Sequence, residues 1–129
     1  MGQATEAELN GLTQRIIGCA MKVHTALGPG LLESACKECL YYESISDGLF
    51  VEKEKPMPLV YNDVKLECGY RLDLIYESKV IVEIKAVEAL NDVHLAQVLT
   101  YLKLSGCKIG LLMNFNVSSL KNGIRRLIH

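Results

Sequence analysis

Apolar and polar positions alternate most sharply between Tyr70 and Ala86, YRLDLIYESKVIVEIKA, where two apolar, β-branched-rich runs flank Glu77-Ser78-Lys79. That pattern predicts a β-hairpin. Side chains two apart on a strand share a face, so Glu83 and Lys85 project together. In the first run Arg71, Asp73 and Ile75 take one face, and Tyr70, Leu72, Leu74 and Tyr76 the other. A three-residue loop pairs Tyr76 with Val80, and counting back sets Asp73 opposite Glu83. A two-residue loop would shift the register by one and set Asp73 against an apolar residue.

Upstream the period is helical. Leu9, Leu12, Ile16, Cys19, Ala20, Val23 and Leu27 recur at three- and four-residue steps, predicting a helix over residues 4–27 that Gly28-Pro29-Gly30 ends. A second helix is expected over residues 31–44, with Leu32, Ala35, Cys36, Cys39 and Leu40 as its core face. From Phe50 the period is two, and residues 49–51, 57–61 and 64–66 are short strand candidates with a turn at Asn62-Asp63. Pro56 and Pro58 place that segment at a sheet edge. Asn91-Asp92 is a natural N-cap for a helix through Leu104, stopped by Ser105-Gly106. Leu95, Val98, Leu99 and Leu102 form its apolar stripe, while His94, Gln97 and Tyr101 line up on a different face. Residues 108–115 read as a buried strand, followed by a tail segment carrying Arg125 and Arg126. The expected order is two helices, three or four strands, a helix and a strand, ααβββ(β)αβ. A helix between strands permits a crossover, so the fold class is α/β (α+β), a mixed central sheet flanked by helices.

Composition narrows the class without choosing a function. The 129 residues suffice for one domain over the whole chain, half of them are hydrophobic, and the net charge is −1. Nucleic-acid binding is not advertised by that balance; phosphate contacts would rest on local patches such as Lys103, Lys108, Lys121, Arg125 and Arg126. An odd count of five cysteines and no secretory signal predict free thiols and a cytoplasmic location. Cys36-x-x-Cys39 lacks a second pair and makes a weak zinc candidate. No apolar run approaches the ~20 residues that span a bilayer, so no membrane partner is expected.

The charges on the hairpin are its unusual feature. Two carboxylates directly across a ladder repel by a few tenths to ~1 kcal/mol at a surface, and by more where both faces are covered. A divalent cation with Lys85 beside it would offset that repulsion. An exposed hairpin face on which Lys85 and Arg71 neutralise the acids would serve equally, and both readings stand at this point. Glu33, in the first turn of the second helix, is favoured there by the helix dipole alone. His24 reads as a packed core histidine.

With Asp73, then Glu83-x-Lys85 on the next strand, then a helix bearing Gln97 and Tyr101, the chain resembles the PD-(D/E)XK nuclease superfamily. It is similar in particular to the small family named for its GxxExxY motif. The supporting segments include Leu27-Gly-Pro-Gly-Leu-Leu-Glu33, Cys68-Gly-Tyr-Arg-Leu-Asp73, Val82-Glu-Ile-Lys-Ala-Val87 and Gly110-Leu-Leu-Met-Asn-Phe-Asn116, covering nearly the whole chain. One departure is that Cys36 stands where the naming motif has tyrosine. The resemblance implies a restriction-endonuclease-like core that uses Mg²⁺ or Mn²⁺ to hydrolyse phosphodiester bonds. It implies Asp73, Glu83, the Ile84 carbonyl and Glu33 as metal ligands, with Asp73, Glu83, Glu33 and Lys85 as the catalytic set. Gln97 and Tyr101 would position phosphate; Arg71 and His94 are further substrate-binding candidates. The implied partner is nucleic acid, DNA ahead of RNA, and a homodimer is allowed although no dimer stripe is readable. Two other readings stand: a nuclease-fold module that binds nucleic acid or protein without cutting, and an enzyme acting on a smaller phosphate ester.

Overall fold

Thr5 starts the first helix by a reciprocal cap, its hydroxyl accepting from the Glu8 amide at 3.1 Å while Glu8 Oε2 accepts from the Thr5 amide at 3.3 Å. The structure, a computed structural model, describes residues 4–129. Helix α1 spans Glu6–Leu27, and Gly28 takes the positive φ of 71° that ends it. Helix α2 follows at Glu33–Ser46. Strands β1 (Val51–Pro56), β2 (Leu59–Tyr61), β3 (Val64–Leu66), β4 (Arg71–Tyr76) and β5 (Val80–Lys85) precede helix α3 (Asp92–Ser105). Strand β6 (Ile109–Asn114), a 3-10 turn at Leu120–Gly123 and strand β7 (Ile124–Ile128) complete the chain.

Five strands form one sheet in the order β1-β4-β5-β6-β7. Among the described strands only β5 and β6 run parallel, because α3 carries the chain across between them. This is the expected mixed sheet flanked by helices. It has more strands than the expected order allowed: five precede α3, and the tail adds β7 at the second edge. Pro56 lies at the end of edge strand β1, as its missing N–H requires. Strands β2 and β3 pair only with each other, around a turn where Asn62 and Asp63 both have positive φ.

Two apolar layers cover the sheet. Leu74, Tyr76, Val80, Val82, Ile84, Leu111 and Met113 pack with Ile16, Ala20, Cys36 and Leu40 of α1 and α2. Leu72, Ile75, Ile81 and Leu112 pack with Val98, Tyr101 and Leu102 of α3. Three expected apolar-stripe positions differ: Leu27, the last residue of α1, is exposed, as are two others. Leu32 caps α2 and is 76% exposed, and Leu99 is 36% exposed while Tyr101 takes its place at 4%. Residues Val98, Tyr101 and Leu102 recur at three and four, so the buried stripe of α3 runs one position away from Leu99.

The hairpin loop has three residues, as expected: Glu77 and Ser78 have φ of 54° and 56°, the Lys79 amide donates to the Tyr76 carbonyl at 2.8 Å, and Tyr76 pairs with Val80. The expected strict alternation in β4 fails at Asp73. Leu72 lies in the α3 layer with Ile75, whereas Leu74 and Tyr76 lie in the α1/α2 layer. Pairing with β1 joins Lys53 to Leu74 and Lys55 to Leu72 but skips Glu54 against Asp73. Pairing with β5 stops at Leu74–Val82, one step before Asp73 and Glu83. Glu54 has φ of 52°, a conformation that costs a non-glycine residue about 1 kcal/mol. The sheet therefore opens on both sides of Asp73, a bulge-like break of the kind that re-aims side chains.

Candidate active site

Where the ladder opens, side chains complete it. The Asp73 amide donates to Glu83 Oε1 at 3.0 Å, and the Ile84 amide donates to Asp73 Oδ2 at 2.8 Å. Each carboxylate thus satisfies a backbone N–H that the break would leave unpaired. Register alone makes Asp73 and Glu83 neighbours; the break turns them into each other's structural partners.

The pair is poorly hydrated. Glu83 is 4% exposed, and burial pushes its carboxyl up to about 8. The Asp73 charge and a hydrogen bond with its carboxyl push the same way, while the Asp73 amide and Lys85 oppose them. A buried acid raised that far marks a site whose negative charge lacks a full counter-charge. The oxygen donors suit a hard divalent cation, which is held by one or two carboxylates and keeps several waters. Among the described residues no three His, Cys, Asp or Glu cluster closely enough to hold a metal.

Lys85, two residues on and half-buried, lowers the Glu83 carboxyl through its charge, and its carbonyl accepts from the Phe115 amide at 2.9 Å. Tyr101 hydroxyl accepts from Gln97 Nε2 at 3.2 Å. Burial raises the Tyr101 hydroxyl, followed by the charges of Glu83 and Asp73, so this helical pair stands in the field of both acids. The Tyr70 ring meets the Tyr101 ring edge-on at 6.0 Å.

The other expected residues lie further out. Arg71 is exposed and donates to the Glu54 carbonyl at 3.4 Å. His94 belongs to the N-terminal cap of α3: its Nδ1 accepts from the Asn91 amide at 3.1 Å, and its own amide donates to Asn91 Oδ1 at 3.0 Å. Glu33 is exposed in the first turn of α2, its charge felt by Lys37, and no hydrogen bond or ion pair among the described residues joins it to Asp73 or Glu83. His24 is buried, with Nε2 2.8 Å from the Val117 carbonyl and its ring beside Phe115, as a core histidine. Cavities of about 270 and 530 Å³ border the hairpin turn at Lys79, the opposite end of β4 and β5 from the acids.

Three residues escaped the sequence reading. Lys37 of α2 contacts Glu54 Oε1 at 2.9 Å and Asp73 Oδ1 at 3.8 Å. It follows Glu33 by one helical turn, which is the one signal that could have raised it. Glu54, in the alternating run Glu52-Lys53-Glu54-Lys55, carried no distinguishing signal. Asn114, buried at the end of β6, accepts from the Val87 amide at 3.1 Å and donates to the Val87 carbonyl at 2.9 Å. It ties down the chain just after Lys85.

No curated protein matches this chain, and no solved structure does. A family model described as the PD-(D/E)XK nuclease superfamily matches residues 10–127. That span takes in most of α1, all of α2, the open hairpin with its acid pair, and α3. With nearly the whole chain aligned and a mixed sheet presenting Asp73, Glu83 and Lys85 at its break, the protein belongs to the PD-(D/E)XK nuclease superfamily.

Proposed function

We propose that this protein hydrolyses phosphodiester bonds of nucleic acid, DNA first, with Mg²⁺ or Mn²⁺ held by Asp73, Glu83 and the Ile84 carbonyl. Within the superfamily we place it with the GxxExxY proteins. The observation that carries the reading is the buried Asp73–Glu83 pair, whose Glu83 carboxyl burial and Asp73 push up to about 8. A dication there would supply Lewis acidity toward a phosphoryl oxygen and make a nearby water a better nucleophile at neutral pH.

The chain's own groups would do the rest. Lys85 Nζ, cationic beside the acids, would orient the attacking water and stabilise charge on the phosphate. Gln97 and Tyr101, already hydrogen-bonded to each other, would position that phosphate. Glu33 would orient a water from the α2 side, and Arg71 and His94 would hold neighbouring phosphates at the rim. All five cysteines are free thiols, which supports a reducing, cytoplasmic setting. No helix among the described residues is long and apolar enough to cross a membrane.

The test is cleavage of labelled single- and double-stranded DNA and RNA with Mg²⁺ or Mn²⁺. Wild type is compared with Glu83→Gln, which keeps an oxygen for the Asp73 amide, and with Lys85→Ala. Metal-dependent cutting lost in both variants is the expected result. Cutting that survives both would remove the acid pair and Lys85 from the chemistry, and no cutting on any substrate would leave a nuclease-fold module that binds without cleaving.

A further inference from the structure

Lys37 reaches the acid pair from outside the hairpin. Its side chain is only 14% exposed, and it stands 3.8 Å from Asp73 Oδ1 and 2.9 Å from Glu54 Oε1. Asp73 Oδ2 is committed to the Ile84 amide, so Oδ1 is the oxygen left for a cation. Lys37 is the ammonium closest to it in the described ion pairs. Glu54 faces Asp73 across the skipped ladder position, and its left-handed backbone interrupts the edge strand at that point. Glu54 is itself exposed, so its own side chain gains no burial from this strained backbone. The interruption and the strain coincide with its ion pair to Lys37.

We propose that Lys37 is a resident counter-ion that competes with a divalent cation for Asp73, and that Glu54 is the carboxylate to which it withdraws when the cation arrives. The inference rests on the metal site proposed above. In the metal-free protein the ammonium adds to Lys85 in partly neutralising the acid pair, and it does so from the Asp73 Oδ1 side. When a dication binds, like charges repel, and Lys37 relaxes onto Glu54 without losing its shorter contact. Lys37 is thus a positioning residue that sets how readily the site fills, and Glu54 acts through it.

Two substitutions should move metal affinity in opposite directions. Removing the ammonium in Lys37→Met, with Lys37→Gln as a second variant, removes the competitor. Removing the refuge charge in Glu54→Gln leaves the ammonium at Asp73. The probe is Mn²⁺ itself, titrated into the full chain and followed by the electron paramagnetic resonance signal of the free ion, with cooperative thermal unfolding as the check on folding. Lys37→Met should bind Mn²⁺ about tenfold more tightly than wild type and Glu54→Gln severalfold more weakly, the scale of one partly screened charge pair. In the Lys37→Met background, Glu54→Gln should change nothing further. Equal or weaker binding by both Lys37 variants, with wild type and Glu83-dependent binding intact, would overturn the inference and leave the metal site standing. An effect of Glu54→Gln that persists without Lys37 would make Glu54 a ligand in its own right and overturn its assigned role. No binding by wild type or any variant would remove the metal reading and the inference together.

Discussion

Glu83 and Asp73 support each other's strands: Glu83 Oε1 accepts the Asp73 amide at 3.0 Å, and Asp73 Oδ2 accepts the amide of Ile84, the residue after Glu83, at 2.8 Å. One pair of carboxylates therefore does two jobs. It closes a broken ladder and concentrates negative charge in a buried place. An alanine at either position removes a hydrogen-bond acceptor as well as a charge, so isosteric amides are the cleaner probes.

Stability should fall as pH rises from acid to neutral in the metal-free protein. Burial, and after it Asp73, raise the folded Glu83 carboxyl to about 8, against about 4.3 for an unfolded glutamate. Between those values the folded chain holds a proton that the unfolded chain has released, so stability declines with pH. This contribution is complete below about pH 4.3 and gone above about pH 8. Glu83→Gln should flatten that decline. Thermal midpoints of both proteins across this window, without added metal, decide it; parallel curves would mean that Glu83 is ionised in the fold.

Tyr101 should separate catalysis from packing. Tyr101→Phe keeps the buried ring and removes the hydroxyl that Gln97 holds, so stability should change by no more than about 1 kcal/mol. If the pair positions phosphate, cleavage should fall about tenfold, mainly in kcat. Tyr101→Ala should instead cost about 3–5 kcal/mol, since the ring fills the layer under α3. Urea unfolding alongside single-turnover cleavage reads both effects.

Asn114 should matter more than its distance from the chemistry suggests. Asn114→Leu leaves the Val87 amide without its partner and the Val87 carbonyl with only the longer contact from Asn116 Nδ2 at 3.4 Å, an expected loss of about 1–3 kcal/mol. It also frees the chain two residues after Lys85. Asn114→Asp keeps the acceptor and should recover part of the stability. Chemical denaturation of the two variants checks the order.

Gly110 sets how closely α3 lies on β6. A Cβ there would stand 2.7 Å from Val98 Cγ1. Gly110→Ala should cost about 1–3 kcal/mol by pushing the helix outward. Because Gln97 and Tyr101 ride on that helix, activity should drop with stability. A variant as stable as wild type would show that Val98 simply rotates away.

Much of this architecture was legible from local pattern. The helical period of α1, the Asn91 cap and Gly106 stop of α3, and the three-residue loop of the central hairpin each follow from short-range chemistry. Register then made Asp73 and Glu83 neighbours, since a pairing count needs only the loop length. Strand β7 was not legible, because a short strand at an edge shows no apolar run; Arg125 and Arg126 sit in its middle.

By itself the sequence determined the class of sheet, the crossover helix and the meeting of two acids across a hairpin, because period, caps and loop length are local properties. The tertiary structure alone decided that the ladder breaks at Asp73, that Leu72 crosses to the α3 layer, and that Lys37 and Glu54 converge on the acids. Those features depend on elements far apart in the chain competing for the same space and charge. A buried carboxylate takes its character from what surrounds it, and here the surroundings come from α2, β1, β5 and α3 together.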